Sequence, residues 1–572
     1  MTRRSLAIFA TLALLALLVV SCRAAAPRAP DPRALDVAAR AIDAVLRERP
    51  GDLAARRDRG WVAYLQGDTA RARVLIEGAS DQGDALALAA AAGMAQDGAR
   101  FTDARRLWLR LLESAAPGDA WTPTLALYAT HRLNALLGEA PGDSGEILPV
   151  VTRLAARRLG PQARAGLAAI LGRLAEQAGD DGAMRLALRA LGCPDHWRVA
   201  GPSGRLPRVD LDAASFRPAA DSIVTTRGCR VSLDSSDGRA GVFEASLRVD
   251  SARAQRALLW VESGDPWRVL GHDHASPDRP QARTVWLEVA LPAGRSRLAL
   301  RFGAGSGSHF QAGLLAHDGS ALPPILASIH AGGGVVADPP VRALGVVDPA
   351  APPAAPPAGS ALPGAAIARF LSAHAALRRG DDTARALIEP LLAMAPRFAP
   401  ALLLSAAIDA GDPSLPRSIA RDRARRALER AVTGCLSPRG GTCDHENAPA
   451  RAVYELAVLD HQDDKDDRAL ERIALGRRLA PGSFRWDLLA WRVFERRGWE
   501  VEATQALARA ERANPESCEV REAVLEDARA PMRGPDAVLA AARRLGDCDA
   551  REDAWAELLR RRGRLAEAAR EL

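Results

Sequence analysis

The sequence predicts a multidomain α + β protein in which two α-helical solenoids flank an antiparallel β-sandwich. Residues 34–192 and 365–572 are rich in Ala, Arg and Leu, with small and apolar residues at helical spacing. Residues 193–334 instead alternate apolar and polar side chains, which is the period of a half-buried strand. At 572 residues the chain is also too long for a single hydrophobic core, so several domains are expected.

Residues 1–22 have the organisation of a bacterial lipoprotein signal. A short basic start precedes an apolar run over residues 6–20, which is shorter than the roughly 20 residues of a membrane-spanning helix and suits a signal peptide. Cys22 directly follows the small Ser21, and this ending resembles a lipobox. The resemblance implies that Cys22 is lipidated and becomes the N-terminus of the mature protein. An ordinary signal peptide with an incidental cysteine is the alternative.

Residues 23–33 follow as a Pro/Ala tether of the kind that holds a domain away from a membrane. The residue after Cys22 is Arg23 rather than Asp. By resemblance to Gram-negative lipoproteins, this implies a lipid-anchored protein of the cell envelope, at the outer membrane and facing the periplasm.

The remaining cysteines are even in number, which favours disulfides in an oxidising compartment. Cys435 and Cys443 bracket a Gly/Pro loop that can close on itself, and we predict this pair first. The other candidate pairs are Cys193 with Cys229, around the start of the middle domain, and Cys518 with Cys548, about one helical repeat apart. Six cysteines allow fifteen pairings, and free buried thiols are the alternative.

The first helical array, residues 34–192, has the pattern of paired helices joined by short turns. In the stretch RDRGWVAYLQGDTARARVLIEGA, Trp61 and Tyr64 fall in the first helix, Gly67 at the turn, and small residues in the second helix. This plan resembles the tetratricopeptide repeat, a helix-turn-helix unit of 34 residues. The resemblance implies stacked helix pairs whose concave surface binds protein partners.

The same plan returns in the second array, residues 365–572. Pro481 and Pro515, which each close a repeat, are 34 positions apart, the period of the tetratricopeptide repeat. The last segment ends at Leu572 without a closing Pro or a polar capping helix. We therefore expect either a further domain beyond it or a naturally short last helix.

The middle domain, residues 193–334, begins with the phrase CPDHWRVAGPSG. Trp197 and Val199 of this phrase are predicted to begin a strand that packs into the core. From Val242 onward, segments such as VFEASLRV, TVWLEVALPAG and RLALRFG place apolar residues at alternate positions, as expected for a β-sandwich. Residues 335–364, rich in Pro and Ala, are predicted to be a linker to the second array.

The phrase HWRVAGPSG resembles the W-x-x-x-GPF phrase of large bacterial periplasmic proteins in which tetratricopeptide arrays flank a jelly-roll-like sandwich. Residues 291–323, LPAGRSRLALRFGAGSGSHFQAGLLAHDGSALP, are also similar to the sandwich of that family. Ser203 departs from the family phrase, which has an aromatic residue at this position. Those proteins often carry a later transglutaminase-like domain, but no Cys-His-Asp constellation follows here, so that activity does not carry over.

Three tryptophans of the middle domain, Trp260, Trp267 and Trp286, are candidates for stacking on a bound sugar, because similar sandwiches often bind carbohydrate through aromatic side chains. The alternative, which we favour, is that they pack against neighbouring helices. His272 and His274 are too few for a catalytic zinc site, which needs three protein ligands, so we predict a solvated loop and no metal. Sequence motifs of hydrolases, zinc proteases and nucleotide-binding proteins are missing, so we expect no catalysis and no cofactor.

The net charge of +7 comes almost entirely from arginine, since Lys465 is the only lysine. These arginines alternate with Asp and Glu, as in ARRALERA, which is typical of a solvated helix face and predicts no nucleic-acid binding. We therefore expect a non-enzymatic scaffold or adaptor, anchored by its lipid, that binds protein partners through its repeats. The alternatives are a protein that binds carbohydrate or peptidoglycan through the sandwich, and an accessory part of a transglutaminase-like system.

Overall fold

The computed structural model describes residues 33–545, except for 116–120, 140–143, 156, 158, 179, 205, 207–209, 212–219, 227–228, 234–239, 271–282, 305–307, 321, 323–338, 348–361, 380, 382, 413, 434–448 and 531–533. Within these ranges the protein is mixed α + β, with 19 helices and two antiparallel sheets of five strands. Helices precede and follow the sheets, which confirms the coarse α + β class.

The first helical part comprises the helices before the sheets. Asp52, Asp68, Asp84 and Asp180 each accept a hydrogen bond from a backbone N–H of the helix that follows, so the carboxylates fix where these helices begin. Its helices are α1 (Ala34–Glu48), α2 (Leu53–Leu65), α3 (Thr69–Asp81), α4 (Ala85–Asp97), α5 (Phe101–Ser114), α6 (Thr122–Glu139), α7 (Ser144–Ala155), α8 (Pro161–Ala178) and α9 (Asp181–Leu191).

The strands form two sheets, and from β3 to β9 successive strands alternate between them. The first sheet has the order β2-β1-β4-β8-β6, and the second sheet has the order β10-β7-β5-β9-β3. Their strands are β1 (His196–Ser203), β2 (Ala220–Thr225), β3 (Arg230–Ser232), β4 (Gly241–Ser251), β5 (Gln255–Ser263), β6 (Trp267–Val269), β7 (Arg283–Leu291), β8 (Gly294–Ala304), β9 (His309–Ala316) and β10 (Arg342–Val346).

One hydrophobic cluster contains side chains from both sheets, as the period of two predicts. Trp197 of β1 is 1% exposed and meets Phe310 of β9 edge to face, with ring centroids 5.3 Å apart. Gly201 allows this strand to approach β4, because a Cβ there would lie 2.7 Å from the ring of Phe243. The phrase that opens the middle domain therefore anchors a strand in the core. Gly192, with a φ of 67°, ends α9 just before it in a left-handed conformation.

The second helical part follows the sheets. Consecutive helices again pack against each other, as in the pairs α12–α13, α14–α15 and α16–α17. Its helices are α10 (Leu362–Arg379), α11 (Thr383–Met394), α12 (Ala399–Ala410), α13 (Arg417–Thr433), α14 (Ala450–Gln462), α15 (Asp466–Leu479), α16 (Arg485–Arg496), α17 (Glu500–Ala513), α18 (Cys518–Ala528) and α19 (Gly534–Arg544).

The two helical parts share one hydrophobic core, whereas the sequence places a sheet domain and a linker between them. Phe370 of α10 meets Tyr128 of α6 edge to face, with ring centroids 5.7 Å apart. Phe398, just before α12, meets Tyr64 of α2 in the same way at 5.1 Å. The apolar periodicity predicts which residues are buried, but it cannot tell which helix buries them.

The segment predicted to be a linker, residues 335–364, contains a strand. Arg342–Val346 forms β10, which pairs with β7 at the edge of the second sheet. Val341 and Ala343 are buried at alternate positions, because their side chains complete the core between the sheets. The high content of Pro and Ala in this segment indicated a linker, and the alternation of apolar residues is too short to indicate a strand against it.

Candidate functional site

A polar cavity of about 280 Å³ lies where the first helical part, the second sheet and the second helical part meet. Its walls come from α6, α8, β5, β7, β9 and α10. Uncharged polar side chains and a histidine supply much of the lining, namely Thr130, His131, Asn134, Gln162, Thr284 and Gln311. We name this space the junction cavity.

Trp260 and Trp286 form part of the wall on the sheet side. They are direct partners across β5 and β7. Both lie on the outer face of the second sheet, opposite the face that packs into the core between the two sheets. They are 5% and 6% exposed, because α8 and the end of α9 cover this face. Trp260 also donates a hydrogen bond from Nε1 to the carbonyl oxygen of Leu191, at 2.8 Å.

All three candidate tryptophans are buried, so none of them presents an exposed stacking surface. Trp267 is fully buried in the core between the sheets, so it cannot stack on a ligand. Trp260 and Trp286 pack against helices and are nearly buried, and both also line the cavity.

The charged groups of the cavity stand on different walls. Glu262 lies on β5, where one carboxylate oxygen accepts a hydrogen bond from the Thr284 hydroxyl at 2.6 Å. Arg378 and Arg379 lie at the end of α10, and Arg379 is 3.7 Å from the carboxylate of Asp381. Within the described part of the chain, neither Glu262 nor Arg378 forms an ion pair. The cavity therefore offers an acceptor on the sheet and a cation on the helix.

His131 of α6 faces the cavity beside this cation. Burial and, as a smaller effect, the nearby Arg378 guanidinium together lower the pKa of His131 to about 3, so the imidazole is neutral at neutral pH. Its Nδ1 has no hydrogen-bond partner among the residues that the structure describes. His374 of α10 lies with its ring centroid 5.6 Å away, and burial followed by the charge effects of His131 and Arg378 lowers its pKa well below the usual range.

A buried polar network supports α6 behind the cavity. Arg132 donates hydrogen bonds to Asp97 at 2.8 Å and to the side-chain oxygen of Gln96 at 2.9 Å. The same Gln96 oxygen accepts from the indole of Trp108 at 3.0 Å. Burial and the adjacent Asp97 raise the pKa of the Tyr64 hydroxyl well above its ordinary value. These contacts tie α6 to α4 and α5, which fixes the wall that carries His131.

Some of the predicted disulfide cysteines lie within the described residues and others lie outside them. Cys193 and Cys229 form a disulfide with a Cα–Cα distance of 5.2 Å, which joins the start of β1 to the second sheet. Cys518 is disulfide-bonded. The other predicted site residues lie outside the described residues, namely Cys22, Cys435, Cys443, Cys548, His272 and His274.

Sequence reasoning missed the residues that define the cavity. Arg378 lies in an ordinary Arg-rich helix end, and His131 and Glu262 stand singly in helical and strand patterns. Nothing in their local sequence separates them from solvated positions. Their common feature is the cavity itself, which exists only when α6, β5 and α10 come together.

Over the described ranges, no group of His, Cys, Asp and Glu side chains is arranged to hold a metal ion. Among the helices of those ranges, none is both long enough and apolar enough to cross a membrane. No protein-family model matches the chain, and no curated protein matches its sequence.

Proposed function

We propose that the protein is a non-catalytic scaffold or adaptor of the cell envelope that binds protein partners through helical repeats. The observation that carries this proposal is the regular succession of helix pairs from α12 to α17. Asp464 and Gly498 have positive φ at the turns within the pairs α14–α15 and α16–α17, and they are 34 positions apart. This spacing supports a tetratricopeptide-like solenoid.

Buried ion pairs link these helix pairs to one another. Asp460 of α14 is 0% exposed and accepts hydrogen bonds from Arg425 of α13, in the preceding pair, and from Arg472 of α15. Neighbouring repeats that are held in this way give a rigid frame whose outward faces are free to meet a partner. The facing sheets with their common core support a β-sandwich as the middle domain.

The envelope location is supported by the N-terminal sequence pattern, in which Cys22 would carry the lipid. Replacing Cys22 by Ala, or treating cells with the lipoprotein signal-peptidase inhibitor globomycin, is expected to block maturation and release the protein from the membrane fraction. Membrane association that is unchanged in the Cys22→Ala variant would contradict this part of the proposal.

An exposed apolar patch in the second helical part is a candidate partner surface. Trp499 is 43% exposed and stacks on Phe494 with ring centroids 5.8 Å apart, and Val501, two positions further along the chain, is 67% exposed. Arg497 lies over the indole at 5.1 Å. Aromatic and Arg side chains of this kind are enriched at protein interfaces.

A photo-crosslinking residue at position 501 tests the scaffold proposal in the full chain. We expect one defined protein adduct, which is lost when Trp499 is replaced by Ser. The matched control carries the same crosslinker at Val74, which is 69% exposed on α3. Equal adducts at both positions, or none at position 501, would refute partner binding through this surface.

A second candidate function is binding of a small glycan, and the junction cavity favours it. Two indoles beside amide, hydroxyl and charged groups form the mixed apolar and polar lining that ligand sites share. This candidate concerns the cavity between sheet and helices, so it can hold alongside the scaffold role.

A further inference from the structure

We propose that the junction cavity binds a small molecule that carries a carboxylate at one end and hydroxyl or ammonium donors at the other. Sugar acids and amino acids both have this chemistry. The inference deepens the second candidate function, because it names the ligand class of the same cavity. It does not depend on the scaffold role of the outer repeats.

The size and polarity of the cavity limit its occupant. A volume of about 280 Å³ lies at the lower end of the roughly 300–1,000 Å³ typical of ligand pockets, so the occupant is small. Polar groups inside a protein are almost always hydrogen-bonded to protein, water or ligand. The buried Nδ1 of His131 has no hydrogen-bond partner among the described residues, so it needs either water or a ligand beside it.

The carboxylate of the ligand would bind at the α10 side of the cavity, where the arginine side chains lie. Arg378 is exposed at the rim of the cavity and forms no ion pair or hydrogen bond with any described residue. A guanidinium binds a carboxylate through two parallel hydrogen bonds, which gives both strength and orientation. Arg379 lies next to it on the same wall. Neutral His131 adds a hydrogen-bonding group without a competing charge.

The hydrogen-bond donors of the ligand would face the second sheet. Glu262 uses one carboxylate oxygen for the Thr284 hydroxyl, and its other oxygen stays available for a hydroxyl or ammonium group. Gln311 of β9 lines the same side and can both donate and accept. The Glu262 carboxylate repels an anionic group, so we expect the ligand to present donors towards Glu262.

A ligand in this cavity would touch each of the three parts of the protein that meet there. Its walls include α6 of the first helical part and α10 of the second, with the sheet as floor. A ligand that contacts all three stabilises their association, because it binds the closed arrangement better than the opened one. Ligand binding should therefore slow amide hydrogen exchange in α6 and α10.

Isothermal titration calorimetry on the full chain tests the inference with three probes: glucuronate, glutamate and glucose. We expect saturable binding of glucuronate or glutamate, and whichever binds identifies the source as a sugar acid or an amino acid. Glucose, which lacks the carboxylate, should bind at least tenfold more weakly. The bound probe should also slow hydrogen exchange in α6 and α10.

Two variants and a matched control assign the contacts. Arg378→Gln and Glu262→Gln should each weaken binding at least tenfold. Arg369→Gln is the control, since Arg369 is an exposed arginine of the same helix outside the cavity, and it should bind like the wild type. Equal binding of glucose would overturn the charge requirement while leaving glycan binding in place. Binding of none of the probes would overturn the proposal and leave a cavity that holds water only. Wild-type affinity in Arg378→Gln would overturn the assignment of the carboxylate to Arg378.

Discussion

Phe370→Ala is the sharpest test of the shared core between the two helical parts. Phe370 is 6% exposed and contacts Tyr128 across the junction as well as Phe398 within its own part. Replacing a buried Phe by Ala costs about 3–5 kcal/mol through lost burial and the remaining void. About 0.5–1.5 kcal/mol of this belongs to the aromatic pair with Tyr128.

Native-state hydrogen exchange is the suitable assay, because a chain of this size does not unfold in one two-state step. If the helical parts form one unit, the free energy of opening falls by about 3–5 kcal/mol for amides of both α6 and α10. The control, Leu525→Ala, removes a buried side chain from a separate cluster in the second part, so α6 should keep its protection. Unchanged exchange in α6 of Phe370→Ala, with faster exchange in α10, would refute the shared core.

Three further predictions concern charge and covalent links. Asp460→Asn leaves two arginines without their buried anion and should destabilise the α14–α15 pair by about 3–5 kcal/mol. Asp463→Asn, at a side chain that is 24% exposed, should cost under about 1 kcal/mol, and native-state hydrogen exchange in α14 and α15 compares the two variants. The folded-state pKa of His131 is about 3, so the unfolded chain binds a proton that the folded chain does not, and stability should be complete above about pH 6.5 and decrease towards pH 3. The free energy of opening of α6 amides should depend less on pH in His131→Gln, and an unchanged pH dependence would count against the burial of this imidazole. Replacing Cys193 and Cys229 by Ser opens a link across 36 residues and should lower the free energy of opening of the second sheet by about 3–4 kcal/mol. Equal hydrogen exchange of the sheet amides in the variant and the wild type would contradict this.

The strands show how far periodicity alone can reach. Phe243, Leu247 and Val249 are predicted on one face of a strand from their spacing, and all three lie in the core between the sheets. The same alternation puts Trp286 on the opposite face. The alternation does not predict whether water, a sugar or a helix covers that face, because the covering helices are distant in the sequence.

The junction cavity lies beyond local patterns for the same reason. Arg378, His131 and Glu262 belong to α10, α6 and β5, and each residue is unremarkable within its own element. Their joint chemistry depends on distances between elements that are separated by long stretches of chain. Only packing creates those distances.

Much of the local structure of this protein follows from short-range patterns in its sequence. Helical spacing, acidic caps and alternating strands are decided by neighbouring residues, since caps and amphipathic faces act over a few positions of the chain. Tertiary structure decided that the helical parts meet, that Arg342–Val346 joins the second sheet, and that Trp260 and Trp286 face helices instead of solvent. Burial of apolar surface is non-directional, so the partner that covers each face is chosen only when the whole chain folds.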